Sequence, residues 1–334
     1  MISKDKGKGS ACMTKSTNKK CLIAIAAIVV SVFILAGCVP VEQTPADEGL
    51  VRIIVADAPT THHLNLYVAK EKGIFERFGL DVEIKSVESL AAARDSVVTG
   101  AADVFWSCPT IAIAAIAGGA PIRTIAQVKT PCTSVLLVPS DSPIQNYEDL
   151  EGKTIAGISP ACEAVIAITN AAKDAGVEFN LVTLAGGPAI AALEAGQIDG
   201  AILEEPHASI AELQGFKVMF REAAEAIPCR TINARTGFIA QNADALRDMI
   251  RAIDEANALI NANPTAEDIV AIAHVPTGAP KDAIILGNPR LLFTTQLDEE
   301  GLCKLADALV EMGHIEECPA DFMFAPEFRG ITWD

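Results

Sequence analysis

From Leu50 onward the chain alternates short apolar, β-branched runs with longer stretches in which apolar residues recur every three or four positions. The runs VRIIVA (51–56), DVEIKS (81–86), DVFW (103–106), IRTIAQV (122–128), SVLLVP (134–139), TIAGI (154–158), LVTL (181–184), AILE (201–204), KVMF (217–220) and GFIAQ (237–241) read as strands. Between them, 64–72, 90–99, 109–117, 161–175, 189–195 and 207–213 read as helices, several closed by a glycine such as Gly73 or Gly100. Beyond them lies a largely helical tail over 242–262, 264–273, 279–287 and 298–312. Repeated βα units predict an α/β fold with doubly wound, mostly parallel sheets. At 334 residues, half of them hydrophobic, the chain holds more than one small core can use, so two lobes are expected.

The N-terminus follows a different pattern. Six lysines lie within Met1–Lys20, and an uncharged run of 17 residues, Cys21–Gly37, follows them. That is the length of a signal h-region and short for a membrane span. It ends in Leu35-Ala36-Gly37-Cys38, which resembles the lipobox of bacterial and archaeal lipoproteins. The resemblance implies cleavage before Cys38 and lipid on that cysteine. An uncleaved N-terminal anchor is the alternative, and either way the folded part lies outside the membrane. Met13 is a second candidate start. Residues 38–49 are polar and proline-bearing and read as a tether. Loss of 1–37 moves the net charge from −17 to −22, because six lysines leave with one aspartate. So acidic a surface argues against nucleic-acid binding.

Four stretches, in order, resemble the nitrate/sulfonate/taurine and thiamine-precursor group of ABC-importer binding proteins. They are LYVAKEKGIFERFGLDVEI (66–84), VTGAADVFW (98–106), EDLEGKTIAG (148–157) and LEAGQIDGAILEEP (193–206). The resemblance covers roughly 50–260. It implies a type II periplasmic-binding fold, in which two doubly wound lobes are joined by a hinge of two crossing strands. The crossings are expected near 130–134 and 228–236, with lobe 1 over 50–131 plus 233–334 and lobe 2 over 132–232. It also implies a solute held between the lobes, an ABC permease and ATPase as partners, a monomer, and a location on the outer face of the cell membrane.

In open α/β sheets, ligands sit at the carboxyl ends of strands, near helix N-termini. That rule selects Thr61, His62 and His63 after the first strand, and Trp106, Ser107 and Cys108 at the end of the third. It selects Ser159 and Cys162 after TIAGI and Glu205 after AILE, while the crossings contribute Cys132, Cys229 and Arg230. His62 and His63 are adjacent, so one of the two is expected in the site. Lys129 and Arg235 are further candidates for charge near an anion. Asp103 and Asp199 read as structural strand-end residues.

Cysteine is the unusual component. Of nine, Cys12 and Cys21 lie in the leader, Cys38 is the lipidation candidate, and Cys303 and Cys318 are in the tail. Cys108, Cys132, Cys162 and Cys229 all fall on predicted cleft segments. Three readings fit these four: soft ligands for a metal ion or iron–sulfur cluster, disulfides such as Cys132 with Cys229, or small buried apolar residues. Cys303 with Cys318 is a further candidate disulfide. The solute is accordingly either a small organic anion or a metal or iron–sulfur species. A binding protein with no chemistry of its own is the leading function. An enzyme of the same fold, similar to the thiamine-pyrimidine synthase, and a ligand sensor are the alternatives.

Overall fold

The computed structural model describes residues 49–220 and 227–332. The leader 1–37, Cys38 and almost all of the tether lie outside the described residues, as does 221–226.

Among the described residues, ten strands form two five-stranded sheets. In the first, the order is β2 (Leu80–Ser86), β1 (Val51–Asp57), β3 (Val104–Ser107), β10 (Cys229–Arg235) and β4 (Ile122–Lys129). In the second it is β7 (Asn180–Thr183), β6 (Thr154–Gly157), β8 (Gly200–Leu203), β5 (Val135–Val138) and β9 (Lys217–Met219). β1 runs parallel to β2 and β3, and β6 parallel to β7 and β8. One strand in each sheet runs against its neighbours, β10 in the first and β5 in the second. These are the strands that follow the passages between sheets, so the reversals mark where the chain enters each lobe.

Each sheet is covered on both faces, which is why its inner strands read as continuous apolar runs. One face of the first sheet packs Val55, Val104, Trp106 and Ile232 against the long helix Thr236–Ala262. The other packs Ala56, Phe105 and Ile122 against Pro109–Ala117 and the tail helix Glu299–Glu311. In the second sheet, Leu136 and Ile155 face Glu163–Asp174, while Leu137 and Ala201 face Gly186–Glu194 and His207–Leu213.

The two structural aspartates play matching roles in the two lobes. Asp103 Oδ2 accepts from the Ile54 amide at 3.0 Å, and Asp199 Oδ2 accepts from the Thr154 amide at 2.8 Å. Each lies three residues after a left-handed glycine, Gly100 or Gly196, that ends the preceding helix. The G-x-x-D spacing therefore sets the start of the third strand of one lobe and of the corresponding strand of the other.

One expectation changes. GFIAQ (237–241) is not a strand but the first turns of the helix Thr236–Ala262. Its apolar residues are buried by helix packing on the first sheet, where Ile239 joins the core. A break at Asn242 (φ −135°, ψ 31°) separates it from the regular helix beyond, so the sequence pattern shows a helix only from there. At 228–236, the expected return crossing, β10 brings the chain back from the second sheet and is hydrogen-bonded in the first from Cys229 opposite Lys129 to Arg235 opposite Ile122.

On the side where Lys281–Gly287 meets His207–Leu213, an ionic clasp joins the sheets' outer layers. Arg290 Nη1 donates to Glu205 Oε1 at 2.9 Å and to Glu212 Oε1 at 2.6 Å. Gly287 is required there, since a Cβ would stand 2.6 Å from Glu205 Oε2.

Candidate functional site

A cavity of about 630 Å³ is walled from both lobes. The first lobe contributes Pro59, Thr60, Ser89, Arg94, Cys108 and Thr110, and the second contributes Ile158, Ser159, Cys162, Ala185 and Glu204. A smaller space of about 330 Å³ continues it under Gly186, Gly187 and His207, sharing Cys162 and Glu204. Local sequence explains the convergence. Cys108 precedes Pro109, which opens a helix with its φ preset and no amide to satisfy, and Cys162 is the N-cap of Glu163–Asp174. The two thiols thus sit at helix starts at the carboxyl ends of β3 and β6, facing each other across the lobes.

Behind them lies a buried polar floor. Cys108, Cys132, Cys162, Cys229, His62, Lys129, Glu163 and Arg230 are all buried. The sulfurs of Cys108 and Cys162 and a Glu163 carboxylate oxygen lie within 4.8 Å of one another, and so do those of Cys132 and Cys229 with Glu163. Arg230 lies at the centre. It donates to Cys108 Sγ and to Glu204 Oε2, and reaches Glu163 Oε1 at 3.4 Å. Its backbone is left-handed (φ 65°), an unfavourable setting for a side chain with a Cβ, held here by the buried ion pairs. Lys129 Nζ donates to the Pro131 carbonyl at 2.7 Å.

The sulfurs pair. Cys108 is pushed well above the usual thiol range, first by its hydrogen bond to Cys162 and then by burial. Cys229 is raised by its bond to Cys132 and by burial, and Cys132 is lowered because it accepts that bond. Arg230 is held above its ordinary range: burial opposes the charge, and the flanking carboxylates of Glu204 and Glu163 outweigh it. All six described cysteines are free thiols, so neither Cys132 with Cys229 nor Cys303 with Cys318 is bridged. Several buried atoms at the site have no hydrogen-bond partner, among them Glu163 Oε2, His62 Nε2 and Arg230 Nε; Thr61 Oγ1 is likewise buried without a partner but does not line the cavity. Buried polar groups in native proteins are nearly always satisfied, so such a group points to a ligand or ion.

The other expected residues divide. His62 turns to the floor, with Nδ1 3.9 Å from Cys229 Sγ. His63 turns away and pairs with Asp57 at 2.6 Å. Ser159 lines the cavity and its Oγ accepts from the Ala161 amide. Trp106 is wholly buried in the core of the first lobe, and Ser107 is held beneath the site by Asn233. Glu205 departs from expectation: its carboxylate is taken by Arg290 and the Ser209 amide, on the far side from the cavity. Its neighbour Glu204 faces the cavity instead, because successive residues leaving a strand point to opposite faces. Arg235 pairs with Asp103 and adds no charge to the floor. Glu163 and Glu204 are the functional candidates that the sequence reading did not select.

Burial, then the charges of Lys129, Arg230 and His63, hold the His62 pKa well below its ordinary value. The folded chain keeps a neutral imidazole, whereas the unfolded chain gains a proton as pH falls through about 6.5. This contribution to stability is complete above that pH and is lost below it, by up to about 1.4 kcal/mol per pH unit. Urea unfolding from about pH 7.5 to 5.5 checks the fall, and His62→Asn is expected to flatten it relative to the wild type.

A family profile described as "NMT1/THI5 like" matches residues 60–267. The chain belongs to the NMT1/THI5-like family. The matched span includes both triads of sulfur and carboxylate ligands. YtlA of Bacillus subtilis, designated a binding protein, is 26% identical over 282 residues, which is 80% of each chain. A second family relative, the 4-amino-5-hydroxymethyl-2-methylpyrimidine phosphate synthase THI11 of Saccharomyces cerevisiae, is 28% identical over 98 residues, only 29% of each chain. Among solved structures, the periplasmic aliphatic sulphonate binding protein SsuA of Escherichia coli superposes with a TM-score of 0.71 at 18% identity, covering 84% of this chain and 95% of that one. The likeness establishes the periplasmic-binding-protein fold.

Proposed function

We propose that this protein is the extracytoplasmic solute-binding component of an ABC importer, anchored through lipid on Cys38 to the outer face of the cell membrane. The observation that carries the reading is the cavity of about 630 Å³ shared between two lobes, with unpartnered buried polar atoms beneath it. A solute touching both walls stabilises only the closed arrangement, and a permease can recognise that arrangement. The sequence left two classes of solute open, a small organic anion or a metal or iron–sulfur species. The floor favours the second. Arg230, the central cation, is already engaged by Glu163 and Glu204, while four thiols and the unpartnered Oε2 of Glu163 can coordinate. The family relationship and the 80% span shared with YtlA support a binding role rather than the synthase chemistry of the yeast relative, which matches 29% of the chain.

Ligand-dependent compaction in small-angle scattering tests this reading. The protein is expected to contract and gain thermal stability with its solute class. An unchanged radius of gyration and melting temperature across both organic sulfonates and soft divalent cations would contradict it. The anchor has its own check: Cys38→Ala is expected to abolish incorporation of labelled fatty acid and to leave the leader uncleaved, so that the protein runs larger; an unchanged size and label would contradict the lipid reading.

A further inference from the structure

We infer that the floor of the cleft is a paired site for thiophilic divalent cations, one held by Cys108, Cys162 and Glu163 and the other by Cys132, Cys229 and Glu163, and that such a cation is the solute. This names the solute of the importer reading and rests on it.

Geometry comes first. Each triad has its three ligand atoms within 4.8 Å of one another, so about an ångström of closure brings them around an ion with metal–sulfur bonds of about 2.3 Å. Glu163 belongs to both triads, and a carboxylate with two oxygens can serve two ions. Its Oε1 already faces Cys229 at 3.6 Å, while Oε2 is buried without a partner. Thiolate with imidazole and carboxylate is a donor set for zinc-like ions and disfavours magnesium or calcium, which take all-oxygen shells.

The two positions are not equivalent. Cys108 and Cys162 line the cavity, so the outer ion keeps a coordination position open toward solvent. Open positions belong to sites that exchange or react, and closed ones to sites that hold. The inner triad lies deeper: Cys132 and Cys229 do not line the cavity, and His62 Nδ1 stands 3.9 Å from Cys229 Sγ at its edge. The outer triad also spans the lobes, with Cys108 following a strand of the first sheet and Cys162 a strand of the second. An ion there ties the lobes together.

Charge is consistent with two ions. Arg230 stands between Glu163 and Glu204 on the floor, with Lys129 buried nearby. Coordination through four thiolates adds four negative charges, which two divalent cations neutralise. Arg230 then remains as the partner of Glu204, and its contact with Cys108 gives way to the outer ion.

The test uses the full chain, reduced, kept anaerobic and stripped of metal, titrated with Zn²⁺ against a chromophoric chelator and separately with Co²⁺. Two equivalents of Zn²⁺ are expected, with a thiolate-to-cobalt charge-transfer band growing over both equivalents of Co²⁺. Chelator is expected to withdraw one equivalent rapidly and the other slowly. Cys108→Ser with Cys162→Ser is expected to remove the rapid equivalent, and Cys132→Ser with Cys229→Ser the slow one. Glu163→Gln is expected to weaken both by at least about tenfold. Zero or one equivalent in the wild type, or two without the charge-transfer band, overturns the inference even if a variant fails to fold. A wild-type protein that takes no cation but contracts around an organic sulfonate overturns it while leaving the importer reading intact. Two equivalents bound without lobe contraction support the site and count against the importer reading.

Discussion

Arg230→Ala is expected to lower the unfolding free energy by about 3–5 kcal/mol, among the largest effects of any single substitution in this chain. Arg230 is buried and faces Glu163, which is equally buried, and Glu204, whose side chain is 23% exposed. Removing the guanidinium leaves two carboxylates with no cation between them, and the buried Glu163 has no water to screen it. One partner lost from a buried pair costs far more than the pair contributes when intact. Alanine also inherits the left-handed backbone at this position (φ 65°), which glycine tolerates. Arg230→Gly is therefore expected to be less destabilised than Arg230→Ala, a difference of about 1 kcal/mol. Urea unfolding of the three proteins at neutral pH measures both effects. Equal stability of wild type and Arg230→Ala would show that the floor does not hold the charges described.

The second large effect is expected at the clasp. Arg290→Ala leaves Glu205, whose side chain is 1% exposed, with only the Ser209 amide as a donor. A loss of about 3 kcal/mol or more is expected for the stranded carboxylate. Glu205→Gln should cost less, because a neutral amide is cheaper to bury unpaired than a charge. Since the clasp lies outside the cavity, Glu205→Gln is also expected to retain solute binding, measured by the same scattering contraction. A loss of binding with little loss of stability would return Glu205 to the cleft, where the sequence had suggested it.

Much of the fold was legible because each local signal agrees with the global one. Several β-branched runs begin just after glycines with positive φ that end helices, and the G-x-x-D pairs at Gly100–Asp103 and Gly196–Asp199 fall at the same place in each lobe. GFIAQ was misread because short apolar runs carry no period, and burial against the first sheet serves helix and strand alike. For the site, the rule that ligands gather at the carboxyl ends of strands brought the four cysteines together from positions far apart in sequence. Choosing between Glu204 and Glu205, however, needs the residue at which β8 ends, and one step changes the face. Arg290, 85 residues from Glu205, reaches it only through tail packing that no local pattern encodes. Glu163 follows Cys162 on the expected cleft segment, but an acidic residue in a helix's first turn is ordinary and singles out no role. Its role appears only when both sulfur pairs converge on it.

The nine cysteines thus sort by position into leader, lipidation candidate, tail and floor, and the central claim concerns the last four. The most direct measurement is a crystal structure of the reduced protein grown with Zn²⁺, with anomalous difference maps at the zinc edge. Two peaks are predicted, one among Cys108, Cys162 and Glu163 and one among Cys132, Cys229 and Glu163. A cleft holding an organic anion against uncoordinated thiols, or zinc found only on surface carboxylates, would contradict the account.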